Sequence, residues 1–418
     1  MNNKTIILQL NELNFDVIHK FSIKFGLKNL KELFDNYKFC KTEEEYKYLE
    51  PWIQWTSFYT GKNYNEHKIF KIGDTENSNL KFFPEIISQN KKVGSFFSMN
   101  LPKLYKNNIF FPDPWIQTTG LNKIQKFVHK NLSYFVNNNS SKKIKMRNYL
   151  NLILIILMFF RFKKTFTYLK LIFFSLKKKY YKAILFDFLS FEIYNHYLNK
   201  NNFDLSLLFI NGGAHIQHHH LLKFDQSSNE YPNDPYSVYL KYLDMFLQEF
   251  RHNNKYNLLL ISGLSQKIIE KPIYYYRLND HKKFLMELGI KFKNVQTLMS
   301  RDFVIHFNDN SKIDDAINKL SELRASNDEK LFGDFKKYEH KLFLSCTFQT
   351  KLDNKYINLF SNKYFLKDIL NFVAIKNSVH HNNCYFNYFG EFKNALSLHK
   401  ISNITDFYSF FLNFYGHK

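Results

Sequence analysis

A chain of 418 residues and 50.6 kDa has room for two or three domains of roughly 100–200 residues each, or for one large α/β domain with insertions. With 45% apolar and 23% charged residues it can fill a core, which excludes the disordered, collagen-like and disulfide-scaffold classes. The formal charge of +22 invites nucleic acid or an anionic membrane surface. Nucleic acid is the weaker reading, because only six basic residues are Arg, the better bidentate partner for phosphate and guanine.

In chain order, Thr5–Leu10 (TIILQL) reads as a buried strand and Asn14–Phe25 as a helix. Glu50-Pro51-Trp52-Ile53-Gln54-Trp55-Thr56-Ser57 reads as a loop entering a helix that is capped near Gly61. From 142 to 186 there are twelve Lys or Arg and no acid. Within that segment Tyr149–Phe160 is apolar except for Asn151, but it is shorter than the roughly 17–20 residues a spanning helix needs. The segment suits either an anionic bilayer surface or a helical hairpin packed on the core with its lysines in water.

Leu205–Ile210 and Asn257–Ile261 repeat the apolar-run pattern, and each ends abruptly in polar or glycine residues. Buried strands alternating with helices predict an α/β fold: a mostly parallel sheet with helices on both faces. Ligands of such sheets bind beyond the carboxyl ends of the strands, so Asn11-Glu12, Asn211-Gly212-Gly213 and Ser262-Gly263 are expected to converge on one site. From about Asp280 to Phe348 the pattern is mixed, with a strand in Met299–Phe307 and an amphipathic helix over Ile313–Leu323. The expected division is a core of 1–135 and 200–279, a basic helical insertion of 136–199, a small α+β subdomain of 280–370, and a C-terminal return of 371–418. Asn137–Ser141 and Gln226–Glu230 are expected as exposed loops. Three dispersed cysteines without a CxxC pair fit a reducing compartment. The start lacks a signal-peptide apolar region, so the expected location is cytoplasmic, with peripheral attachment to an inner membrane left open.

The densest polar cluster is Asn211-Gly212-Gly213-Ala214-His215-Ile216-Gln217-His218-His219-His220. On a helix, His215 and His219 (i, i+4) or His215 and His218 (i, i+3) fall on one face and could share a metal. The glycines would permit a tight turn and close approach of a ligand to the backbone. His380-His381 is a weaker signal, since adjacent side chains point different ways.

These segments, in this order, resemble the alkaline phosphatase superfamily, in particular its phosphodiesterase/nucleotide pyrophosphatase branch. The carriers are Asn11-Glu12 after the first strand, Trp55-Thr56-Ser57-Phe58-Tyr59-Thr60-Gly61, Asn211 with His215, Ser262-Gly263-Leu264-Ser265, and His380 or His381. The resemblance implies two adjacent metal sites. It places Asn11, Asn211, Gly263 and Leu264 where the family has metal ligands, and Pro51 where it has its nucleophile. One metal position would thus retain His215 and a late histidine, His381 or His380, while the other is lost. The set also looks like a little-characterised group of the superfamily found among bacterial surface-polysaccharide genes.

The expectation is a divergent hydrolase or transferase of a phosphate or sulfate ester, on a cell-surface glycan or lipid-linked glycan. The alternative is a non-catalytic relative that binds a glycan or a partner protein through the same cleft. Glu12, Glu50, Thr56 and His219 are the catalytic candidates, with Glu12 or Glu50 as base. Asn11, Gln54, Asn211, Gln217 and Gln266 are the substrate-binding candidates. His215, His381 and His380 would hold at most one divalent metal, zinc first among the choices.

Overall fold

Thr5–Leu10, Leu205–Ile210 and Asn257–Ile261 are neighbouring parallel strands with the first in the middle. Every residue of the three is buried, which is why they read as apolar runs rather than as alternating ones. The computed structural model describes residues 4–116, 118–137, 146–221, 227–250, 255–298, 301–359, 362–391, 394, 396 and 399–417. The full sheet has seven strands, in the order Lys38–Lys41, Asn383–Phe389, Asn257–Ile261, Thr5–Leu10, Leu205–Ile210, Val93–Phe96, Ile109–Phe111. Asn383–Phe389 runs against its neighbours and the rest are parallel.

Alternate residues of the opening strand feed two separate cores. Ile6, Leu8 and Leu10 pack with helices Phe15–Phe25, Tyr180–Lys200 and Pro235–Leu247. Ile7 faces the other way, toward helices Pro51–Thr60 and Asp406–Phe414. The sheet is therefore covered on both faces, as parallel pairing requires. Local chemistry sets the helix ends. The Asn14 side chain accepts the Val17 N–H as N-cap of Phe15–Phe25, and Pro51 opens Pro51–Thr60, which stops at a left-handed Gly61.

The basic segment forms helices Met146–Met158 and Thr165–Lys177, each only 13 residues long. Among the described residues no helix is long and apolar enough to cross a membrane. Ile155, Ile156, Phe159, Tyr168 and Leu171 enter the same core as the opening strand, so one face of these helices belongs to the sheet's packing. Arg161, which ends the apolar run, forms a two-pronged ion pair with the fully buried Glu192 and a second pair with Glu249. Without that partner, burial of Glu192 would be strongly unfavourable.

By internal contacts the chain divides into residues 1–268 with 378–418, and residues 269–377. Ser265–Leu278 carries the chain out of the first unit and Leu370–His381 carries it back. The second unit is eleven residues longer at its start and seven at its end than the expected 280–370, because those long strands run across both boundaries. It holds a four-stranded sheet, with strand Asp302–His306 between Lys341–Cys346 and Asn294–Thr297. Helix Ser311–Ser321 buries Ile313, Ala316 and Leu320 against its own core. Met299, Ser300, most of the expected loop at Asn137–Ser141, and Gln226 lie outside the described residues.

Candidate functional site

All the groups of the site belong to the first unit. Where the opening strand ends, the Asn11 N–H donates to the Ile210 carbonyl (3.2 Å) and the Glu12 N–H to the Ser262 carbonyl (2.9 Å). The three strand tips are thereby tied to one another. Glu12 has a left-handed backbone, φ 59°, which costs an L-residue with a side chain about 1 kcal/mol or more. Its carbonyl accepts the Gln217 side-chain amide at 2.9 Å, and the turn holds both Asn11 and Glu12 buried.

Helix Gly212–His220 begins directly after its strand. Its start is held by Asp187 of helix Tyr180–Lys200, whose carboxylate accepts the N–H groups of Asn211 (3.1 Å) and Gly212 (2.8 Å) and the Tyr239 hydroxyl (3.1 Å). The two glycines serve packing rather than a ligand. A Cβ on Gly212 would stand 2.6 Å from Asp187 Oδ2, and one on Gly213 would stand 2.7 Å from both Leu13 and Tyr239. That close approach fixes the helix's rotation. Ile216 and Gln217 turn inward, His215 is exposed against His219 with ring centroids 5.0 Å apart, and His218 turns toward Glu12.

The third contributor is the returning strand Leu370–His381. Strand alternation places Ser378 and His380 on one side and His381 on the other. The Ser378 hydroxyl donates to Gln266 Oε1, and the Gln266 amide donates to Glu12 Oε2. His218 Nε2 lies 2.9 Å, and His380 Nε2 3.1 Å, from that same carboxylate oxygen, and the two imidazole nitrogens are 3.3 Å apart. On its other edge His380 Nδ1 lies 3.7 Å from Glu50 Oε2. Among the described residues, Glu12, His218 and His380 are the group with the composition and spacing to hold a metal ion. Burial opposes ionisation of Glu12 most strongly, yet the charges and hydrogen bonds of His380 and His218 together outweigh it and hold the carboxyl well below its usual range.

Beside this charged cluster stands a neutral one. Asn11 Nδ2 donates to Asn211 Oδ1 (2.7 Å) and to Glu12 Oε1 (2.9 Å), while Asn11 Oδ1 accepts the Trp55 indole N–H (2.7 Å). The Trp55 ring packs on Gly263, which has φ +73° and where a Cβ would meet the indole at 2.7 Å.

The structure thus gathers Asn11, Glu12, Glu50, Asn211, Gln217, Gln266 and His380 at one place. The exposed His215 pairs with the half-buried His219 on a helix face, outside the Glu12–His218–His380 group. His381 Nδ1 accepts the Asn383 N–H at 3.3 Å, away from Glu12. Gln54 is buried between the Tyr48 carbonyl and the Glu43 N–H. Thr56 is fully buried, donating to the Trp52 carbonyl at 2.8 Å. Sequence reasoning took His218 only as a companion of His215 and passed over Asp187, Ser378 and the Trp55 N–H. A signal for Asp187 was present, since it is the first acid after the long acid-free basic run.

No model of a known protein family matches the chain, and no curated protein matches it in sequence. Solved structures similar to it include murine ectonucleotide pyrophosphatase/phosphodiesterase 5, with 10% identity, TM-score 0.39, and 99% of this chain and 95% of that one covered. Phosphonoacetate hydrolase from Sinorhizobium meliloti 1021, in complex with phosphonoformate, has 11% identity, TM-score 0.43 and the same coverage. At such scores the likeness carries no argument, and the α/β class rests on the sheet itself.

Proposed function

We propose that this chain is a hydrolase or transferase of a phosphate or sulfate ester, working through one compact centre of Glu12, His218 and His380. The observation that carries the proposal is the meeting of these three donors, 2.9 to 3.3 Å apart, beyond the tips of parallel strands. Two imidazoles and a carboxylate are a zinc-type donor set, and donors about 2.0–2.1 Å from a tetrahedral ion stand about 3.3 Å from one another. The residues therefore fit a single divalent cation, zinc first. Such an ion would supply Lewis-acid polarisation of a phosphoryl or sulfuryl oxygen.

The chain's own groups have distinct tasks in this reading. Glu12 stays ionised and accepts from Gln266 and Asn11, which fix its carboxylate plane. Glu50 orients His380 from behind, as carboxylate partners of metal-binding histidines do. The His218 side chain is 24% exposed, so an ion held there would be open to an entering substrate. Asn11 and Asn211 stand where the family resemblance has acids, and their amides, with Trp55, leave that half of the centre neutral and closed. A glycan or lipid-linked glycan as the ester's carrier is supported by the resemblance to the polysaccharide-gene group. The half-buried ring of Tyr48, two residues before Glu50 in the chain and stacked on Tyr64 at 3.9 Å, agrees with it. The cysteine pattern supports a cytoplasmic location.

A second reading, a non-catalytic binder, is favoured by one observation: Pro51, which has no nucleophilic group, opens helix Pro51–Thr60. A screen of the purified protein on phosphodiester, phosphomonoester and sulfate ester substrates, with zinc, manganese or chelator, separates the two. Turnover abolished by Glu12→Gln and by His218→Ala is the expected result. Turnover that survives both substitutions would remove the centre from the chemistry, and glycan binding without turnover would establish the second reading.

A further inference from the structure

The two 13-residue helices of the basic segment carry a surface unlike any other on the molecule's described residues. In Met146–Met158 the exposed positions Leu150, Ile153, Leu154 and Leu157 follow a helical period, so the outward stripe is apolar, the reverse of an ordinary surface helix. In Thr165–Lys177 the outward stripe is Phe166, Leu169, Phe173 and Leu176. Phe162, in the turn between them, is 89% exposed, Phe166 88% and Leu176 77%. Isolated exposed apolar residues need no explanation, but consecutive stripes of this size mark an interaction surface.

Charge indicates what covers it. Arg147, Lys163, Lys170, Lys177, Lys178 and Lys179 are all exposed among or beside the stripes, and no acid occurs from 142 to 186. Arg161 and Lys164 are engaged by Glu249, leaving the positive set undiluted. A second copy docked symmetrically on this face would set like charges against each other. An anionic bilayer takes both features together: the leucines and phenylalanines enter the headgroup–acyl boundary while lysine stems reach back to the phosphates. Neither helix spans, so attachment would be in the plane of the interface. We infer that helices Met146–Met158 and Thr165–Lys177 form a monotopic docking surface for anionic lipid. The inference stands independently of the ester chemistry.

The test is flotation of the full-length protein with vesicles of phosphatidylcholine alone or with about 30% phosphatidylglycerol. Binding to the anionic vesicles is expected to be at least about tenfold stronger, and to fall steeply as salt rises from about 0.1 to about 0.5 M. Leu157→Asp with Phe166→Asp should reduce it about tenfold or more, with an unchanged melting temperature because both side chains already face water. Lys177→Glu, Lys178→Glu and Lys179→Glu together should remove the preference for anionic lipid. No binding, or binding indifferent to lipid charge and salt, would overturn the inference. So would a dimer in sedimentation velocity that the Leu157→Asp/Phe166→Asp variant dissociates, which would assign the surface to a second copy. Should the aspartate variant fail to fold, the lipid and salt comparison and the lysine variant still decide.

Discussion

Glu12 and Asp187 are both buried carboxyls within the same unit, and they are pushed in opposite directions. Asp187 is surrounded by neutral donors, two backbone N–H groups and a tyrosine hydroxyl, and burial prevails, raising it to about 6. Glu12 meets two imidazoles, and their charge reverses the effect of burial. Dipoles alone do not offset desolvation here, whereas charges at 3 Å do. The same division runs through the site. Its Asn11–Asn211–Trp55 half is closed by neutral hydrogen bonds, while its Glu12–His218–His380 half brings a carboxylate against two imidazoles.

The sharpest way to break this contrast is to remove charge from the second half. Glu12→Gln or His380→Ala should lower turnover by about 10²–10⁴-fold and weaken zinc affinity by at least about a hundredfold, measured by steady-state kinetics and metal competition. Asn211→Ala, in the neutral half, should cost far less turnover. If it costs as much, the halves are not distinct. Next in size is Gly263→Ala, which forces a Cβ against the Trp55 indole in a left-handed conformation. A loss of about 2–4 kcal/mol in denaturant unfolding is expected.

The pH dependence sharpens the comparison further, because the two carboxyls contribute with opposite sign. Asp187 has a folded pKa of about 6 against an ordinary 3.8. Its contribution is fully present below about pH 4 and is lost as pH rises through 6, by up to about 3 kcal/mol. Asp187→Asn should flatten that part of the stability profile. Glu12, depressed when folded, stabilises above its unfolded value of 4.5, and that contribution is lost as pH falls through the folded value. Glu12→Gln should flatten only the acid end. The smallest expected effect is Asn14→Ala, about 1 kcal/mol from the lost helix cap, with a slight loss of zinc affinity because the Asn14 amide also donates to the Gln266 carbonyl (2.9 Å).

Much of this was legible in the sequence. Unbroken apolar runs marked the central strands because both faces of the sheet are covered, polar residues at their ends located Asn11, Glu12 and Asn211, and the family resemblance added Gln266. Helical periodicity paired His215 with His219 correctly as a face, but periodicity cannot say which face turns inward. That rotation depends on Gly213 fitting between Leu13 and Tyr239, contacts from distant parts of the chain, and it selects His218. Of the late histidines, only strand alternation in the folded chain separates His380 from His381. Asp187 stood out in the sequence only as the first acid after the basic run, because most of its partners are backbone groups some 25 residues away, with the Tyr239 hydroxyl still farther along the chain.

The most direct test of the central claim is calorimetric zinc titration of metal-stripped protein alongside His218→Ala and His215→Ala variants. One zinc per chain, lost in His218→Ala and kept in His215→Ala, is the predicted result. Zinc retained by His218→Ala but lost with His215, or no zinc bound by the unaltered chain, would contradict it.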